Sequence, residues 1–253
     1  MATTDPECND DDDDNRGITS ILTVDDMLIT GLSLGGYTKQ RIKRTKGSTN
    51  IERYKSLYGS SPHVCAMIWE DFQTTSLPNA HVLPRDRKVK WFLIALHHLK
   101  RYPTEFEREA KFDVNIAWSR DWVWFFIEKI QALKDEKIVW PDNNFGTDVW
   151  AISVDGTHCW IEEPQHPIWS QDPKYFSHKY GKAGLNYELG ISLSESKLVW
   201  MNGPFRAGLN DVQVFRDQGL KAKLRHCGKM AIGDGGYSGH PYQCSTIKNR
   251  HDS

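Results

Sequence analysis

From Ile51 to Ile138 apolar positions recur with the 3.6-residue period of helices, and beyond Val149 they recur with the period of two that marks strands. Ser61 and Pro62 read as an N-cap and first turn, after which Val64, Ile68 and Phe72 repeat every four residues. A second helix carries Val89, Phe92, Leu96 and Leu99 on one face and stops before Pro103. Thr104 with Glu107 is a capping-box pattern that opens a short helix reaching Phe112. After Asp113 to Asn115 comes a long helix whose buried stripe is predicted at Trp118, Trp122, Phe125 or Phe126, Ile130 and Leu133. Pro141 to Thr147, rich in Asn, Asp and Gly, breaks the pattern and is the predicted domain boundary.

The second half reads as strands. Val149 to Val154 is an apolar run ending in Asp155 and Gly156, and His158 to Ile161 continues it beyond a bulge. In the clearest strand, Ala183 to Leu193, Leu185, Tyr187, Leu189, Ile191 and Leu193 face one side, and Asn186, Glu188, Gly190 and Ser192 the other. The turn Ser194 to Lys197 leads to a third strand, Leu198 to Met201. Asn210 caps a helix through Val214, Phe215 and Leu220, and Lys229 to Gly233 is a fourth strand delivering Asp234 into Gly235 and Gly236. Three strands, a helix and a fourth strand predict an antiparallel meander whose first strand gains a parallel neighbour through the helical crossover. The fold class is therefore α+β, with a helical region before a mixed sheet.

Composition refines this outline. The chain has 253 residues, 39% hydrophobic and 26% charged, which suits a globular protein, and no apolar run is long enough to span a membrane. Its net charge of -1 hides an asymmetry. The first 16 residues hold seven acids, Asp5, Glu7 and Asp10 to Asp14, against Arg16 alone, so the remainder carries 31 bases and 26 acids. Five bases then fall within eight residues, Lys39, Arg41, Lys43, Arg44 and Lys46. This run suits a nuclear-import signal, a phosphate-contacting arm or a solvated linker. Self-repulsion of the acidic run and the small polar residues after the basic one predict poor order over residues 1–50, with order beginning at Ile51. The expected divisions are thus 1–50, a helical domain at 51–147 and a strand-rich domain at 148–253. Cys8, Cys65, Cys159, Cys227 and Cys244 are odd in number and irregularly spaced, which suits free thiols in a reducing compartment.

Two features bear on chemistry. A short helix, a three-residue turn and a longer helix are the outline of a helix-turn-helix, in which Arg108, Lys111, Ser119 and Arg120 would contact DNA; an ordinary bundle with a polar outer face fits the same pattern. Asp155 and Asp234 each follow an apolar strand and precede glycine, so on parallel neighbouring strands their carboxylates converge at one sheet edge. Two hard oxygen donors so placed suit Mg²⁺ or Mn²⁺ and phosphodiester chemistry. Either Asp-Gly alone is equally a simple turn former. Cys227, His240 and Cys244 sketch a zinc site that lacks the paired half of a finger.

The segments ISVDGTHCWI (152–161), YFSHKYGKAGLNYELGISL (175–193), NGPFRAGLNDVQVFRDQGL (202–220) and AIGDGGYSG (231–239), in this order and spacing, resemble the DDE-superfamily endonucleases of Harbinger-type transposons. The helical segment before them resembles the helix-turn-helix region of those proteins. The resemblance implies an RNase H-like catalytic fold, with Asp155 and Asp234 as metal-binding catalytic acids, Asp211 and His158 as supporting residues, a divalent cofactor, DNA as substrate, a nuclear location and a separate DNA-binding partner protein. That family's third acid is a glutamate on a later helix, and none of the residues after Asp234 is a glutamate; Glu188 and Glu195 lie in the wrong context to replace it. The expectation is therefore a C-terminally truncated, transposase-derived DNA endonuclease with impaired or absent activity. The alternative is a catalytically silent DNA-binding or protein-interaction remnant.

Overall fold

The computed structural model describes residues 22–74, 89–141, 145, 148–162, 165, 166, 168, 170, 172–238 and 244–246. The chain divides into two compact units, 1–133 and 134–253. The first unit contains α1 (Val24–Leu34), α2 (Lys39–Arg44), α3 (Gly47–Tyr58), α4 (Pro62–Thr74), α5 (Val89–Arg101), α6 (Glu105–Phe112) and α7 (Ile116–Ala132). Residues 1–21 lie outside the described residues, but order does not wait for Ile51. Thr23 and Asp26 form a reciprocal capping box on α1, Thr38 caps α2, and Met27, Leu32 and Ile42 are buried. The neighbouring acidic and basic runs concealed these helices, whose buried apolar positions are Met27, Leu32 and Ile42 while Val24 and Ile29 stay exposed.

Trp69, Phe72, Phe92 and Phe126 form the aromatic centre of this unit, with ring centroids 5.6 to 6.4 Å apart. Six consecutive residues of α5, Phe92 to His97, are buried because α1, α3 and α7 all pack on it, so its apolar surface is wider than one face; Leu99 is exposed. On α7 the buried line is Ser119, Val123 and Phe126, continued by Leu133 at its C-cap. Phe126 and Leu133 lie on the predicted stripe, whereas in the first two turns the line is one position round from Trp118 and Trp122, and Trp118 is 67% exposed. The capping box of α6 stands as the sequence suggests. Glu107 N–H donates to Thr104 Oγ1 (3.2 Å), and Thr104 N–H donates back to Glu107 Oε2 (2.7 Å). Thr104→Ala is expected to lower stability to denaturant by about 1 kcal/mol; a change within the error of the unfolding curve would contradict this role.

The second unit begins at Lys134, earlier than the expected boundary at residue 148, because Trp140 and Phe145 belong to its core. It contains α8 (Lys134–Lys137), β1 (Trp150–Trp160), β2 (Phe176–Ser177), β3 (Lys182–Ser192), β4 (Leu198–Arg206), α9 (Asp211–Asp217), α10 (Leu220–His226), β5 (Met230–Gly233) and β6 (Cys244–Thr246). The sheet runs β4-β3-β1-β5-β6, with β2 pairing the start of β3. β3 is antiparallel to β1 and β4, while β5 is parallel to β1 and β6 parallel to β5. The meander and the parallel fourth strand match the sequence reading; β6 has too little apolar pattern to be seen in it.

Two local features differ from expectation. β1 continues to Trp160, as His158 to Ile161 suggests, but without the expected bulge, because β3 pairs with it in unbroken register from Ile152↔Ser192 to Trp160↔Gly184. The predicted single crossover helix is two short ones, broken where Gly219 takes φ +106°. The core packs Ile152 and Val154 with Val199, Phe215, Leu220, Leu224 and Ala231. Among the described residues no helix is long and apolar enough to cross a membrane.

Candidate active site

β1 and β5 pair at Ser153↔Ile232, and Asp155 and Asp234 each lie two residues further along. Neighbouring strands sit about 5 Å apart, so both acids emerge on the same side of the sheet's end. Asp234 ends β5 and caps a 3₁₀ turn, Gly235–Tyr237, its Oδ1 accepting from Gly236 N–H (2.8 Å). The turn-former reading thus describes Asp234 in part. It does not describe Asp155, which sits within a continuous strand and accepts from Gly156 N–H through Oδ1 (2.8 Å). Both are exposed.

Asp211 lies between them. It opens α9, whose N-cap Asn210 accepts from Gln213 N–H (2.9 Å). A Cβ on Gly156 would lie 2.3 Å from Asp211 Oδ1, and one on Gly236 would lie 3.1 Å from Oδ2, so both glycines leave the space that this carboxylate fills. Burial pushes the Asp211 carboxyl up; Lys179 opposes the shift, and Asp234 and Asp155 add to it. Like charge therefore accumulates here. A cavity of about 380 Å³ opens beside Asp211, lined among others by His158, Lys179, Tyr180, Asn186 and Gly236.

His158 lies in β1, its Nδ1 2.8 Å from Asn186 Oδ1 and its ring stacked on Tyr180 with centroids 4.7 Å apart. Gly184 makes room for it, since a Cβ there would lie 2.4 Å from Nε2.

Sequence reasoning set Glu188 aside as lying in the wrong context to replace the family's third acid. It pairs with Gly156 across β1 and β3 and is 2% exposed. Trp200 Nε1–H donates to its Oε2 (2.9 Å), while Oε1 is buried without a partner. Burial pushes this carboxyl up to about 7; the Trp200 hydrogen bond opposes that and the charge of Asp211 reinforces it. Its place in the alternation was visible, but the polar side of β3 reads as the solvent side. The reverse holds: Glu188, Gly190 and Ser192 are buried, and Ile191 is 47% exposed. The Tyr237 hydroxyl is also buried without a hydrogen bond, and its acidity is suppressed first by burial and then by Glu188, Asp211, Asp155 and Asp234.

Residues 154–252 match the DDE superfamily endonuclease family. The matched stretch carries Asp155, Asp211, Asp234 and Glu188, so the acidic site lies wholly within the endonuclease-like part of the chain. The similarity is to a family of transposase-type nucleases acting on DNA. No curated protein and no solved structure gives a significant match. Among the described residues no three His, Cys, Asp or Glu side chains are grouped to hold one metal ion together. His240 of the zinc sketch lies outside the described residues, and Cys244 is buried against Gly233.

The helix-turn-helix residues fare differently. Arg108 and Ser119 are 3% and 1% exposed and bond to one another, Nε–H donating to Oγ at 2.5 Å, so neither is available to a DNA groove. Arg120 is exposed but tied to Glu105 by two 2.6 Å bonds. Lys111 is exposed, with its ammonium 5.5 Å from the Phe112 ring centroid. Bonding across the turn has used Arg108, Ser119 and Arg120, three of the four polar groups that the pattern offered to DNA.

Proposed function

We propose that the second unit is a transposase-derived endonuclease domain of RNase H-like fold in which Asp155 and Asp234 hold Mg²⁺ or Mn²⁺ at a DNA phosphodiester. The observation that carries this reading is the emergence of the two acids from adjacent parallel strands, inside the endonuclease-like stretch, with Asp211 packed between them. The sheet order, with β3 alone antiparallel to the other four strands, supports the fold part of the reading.

The donor set suits a hard divalent cation, which binds through one or two carboxylates and takes phosphate oxygens and water for the rest. A bound ion would offset charge on the phosphate and acidify the attacking water. The chain's own residues prepare the place. Backbone N–H groups of Gly156 and Gly236 each fix one oxygen of an acid, and the like charge gathered at Asp211 favours a cation. Lys179 supplies a positive charge beside the cavity for the DNA backbone. A nuclear location and a separate DNA-binding partner protein belong to the same reading.

A second reading, a remnant that binds DNA without cutting it, is favoured by the donor count, since the described residues group no third ligand with the two acids. Supercoiled plasmid separates the two. The first reading expects nicking with Mg²⁺ or Mn²⁺ that EDTA abolishes. Binding with no nicking in either ion would sink it and support the second.

A further inference from the structure

The helical unit contains one arrangement twice. Five buried positions of α3–α4 match five of α6–α7 at a spacing of 54 residues: Tyr54 with Arg108, Tyr58 with Phe112, Cys65 with Ser119, Trp69 with Val123 and Phe72 with Phe126. The turns match at the same spacing. Gly59 and Asp113 end α3 and α6 in the left-handed conformation, at φ 78° and 49°. Ser61 Oγ accepts from Val64 N–H as Asn115 Oδ1 accepts from Trp118 N–H. Even the polar contact across the turn recurs, for Tyr54 neighbours Cys65 as Arg108 bonds Ser119. α3–α4 and α6–α7 are therefore two copies of one helix-turn-helix, preceded by α1 and α5 respectively.

The copies differ at one junction. α5 connects to α6 through three residues, Tyr102 to Thr104, whereas α1 connects to α3 through Gly35 to Lys46, and α2 is the surplus. Insertions in repeat architectures map to one face, often the binding face. This one carries Lys39, Arg41, Lys43, Arg44 and Lys46, all exposed.

α2 is firmly mounted. Ile42 is buried, Asn50 Nδ2–H donates to its carbonyl (2.9 Å) and Arg53 Nη1–H donates to Thr45 Oγ1 (3.1 Å). The Tyr37 ring holds Arg41 at 5.1 Å and Arg53 at 4.9 Å. The nearest acids in sequence are engaged elsewhere, Asp26 in the capping box and Glu52 with Lys55 (3.0 Å). The second copy offers no such field. α6 and α7 carry Glu105, Glu107, Glu109, Asp121 and Glu128 against four bases, of which Arg108 is buried and Arg120 paired.

We propose that α2 is the duplex-DNA contact surface of the helical unit, its exposed bases pairing with backbone phosphates independently of base sequence. The inference rests on DNA being the substrate, but not on cleavage. The test is binding of the full chain to a fluorescein-labelled random-sequence duplex, read by anisotropy in EDTA across a salt series. Each phosphate contact contributes about 0.9 to the slope of log K against log salt. Lys39→Gln/Lys43→Gln/Arg44→Gln is expected to reduce that slope by roughly 2 to 3 and weaken binding at least tenfold in low salt. Lys100→Gln/Lys111→Gln/Lys129→Gln, which removes equal charge elsewhere on the unit, is expected to leave the slope within about 1 of wild type. Equal losses in the two variants, or a wild-type chain that does not bind the duplex, would overturn the proposal. Matching circular dichroism spectra establish that each variant is folded. Because EDTA removes any metal-dependent cutting, a chain that binds through α2 yet never nicks plasmid leaves this inference standing while the endonuclease reading falls.

Discussion

Asp155→Asn or Asp234→Asn is expected to cut metal-dependent nicking by about 10³-fold or more, with the melting temperature unchanged or slightly raised. A divalent ion contributes several kcal/mol of charge stabilisation to phosphoryl transfer, and about 4 kcal/mol corresponds to that factor. Losing one of two protein ligands forfeits most of it. The stability side follows from Asp211. Burial already pushes its carboxyl up, and Asp234 and Asp155 push it further, so neutralising either relieves repulsion within the fold. Both substituted residues are exposed, and asparagine retains the oxygen that accepts from Gly156 or Gly236 N–H. Nicking assays beside thermal melts check both halves. A variant that still nicks at the wild-type rate removes that acid from the site, and one that melts well below wild type shows a structural role instead.

Glu188→Gln is expected to flatten the pH dependence of stability between about 4.5 and 7. Burial holds the folded carboxyl at about 7, above the ordinary glutamate value of 4.5. The folded protein therefore binds the proton more tightly than the unfolded chain does. Stability from this group is complete below pH 4.5, declines as pH rises through 7 and is level above that. The full span is about 3 kcal/mol. Glutamine keeps an acceptor for Trp200 Nε1–H and cannot ionise, so the variant should exceed wild type by up to about 3 kcal/mol at pH 8 and match it near pH 4.5. Urea unfolding at the two pH values measures this. Parallel wild-type and variant profiles would show that Glu188 does not titrate in this window.

What could be read from the sequence was what local chemistry dictates. The Thr104–Glu107 box, the Asn210 cap and the alternation along β3 each require only a few neighbouring residues. Positions set by distant partners could not be read in that way. The continuation of β1 over His158 to Ile161 was legible, but β1 runs through Asp155 without a bulge because β3 pairs with it in unbroken register, and nothing near Asp155 announces that. The stripe on α7 shifts from Trp118 to Ser119 because Arg108, eleven residues earlier, needs a buried partner. Asp155 and Asp234 were found because each carries its own strand and glycine. Glu188, Lys179 and Tyr237 come within electrostatic reach of these acids only through tertiary packing, the first on the side of its strand that alternation assigns to water.

Gly156 adopts no left-handed backbone, and its small size serves Asp211 alone. Positions 156 and 211 are thereby a single unit of variation, although 55 residues separate them. A lineage that exchanges Gly156 for any other residue must first shorten or displace Asp211, and one that loses Asp211 frees Gly156 to drift. A comparison of related chains would find the two positions changing together, with the order of loss recording which was released first.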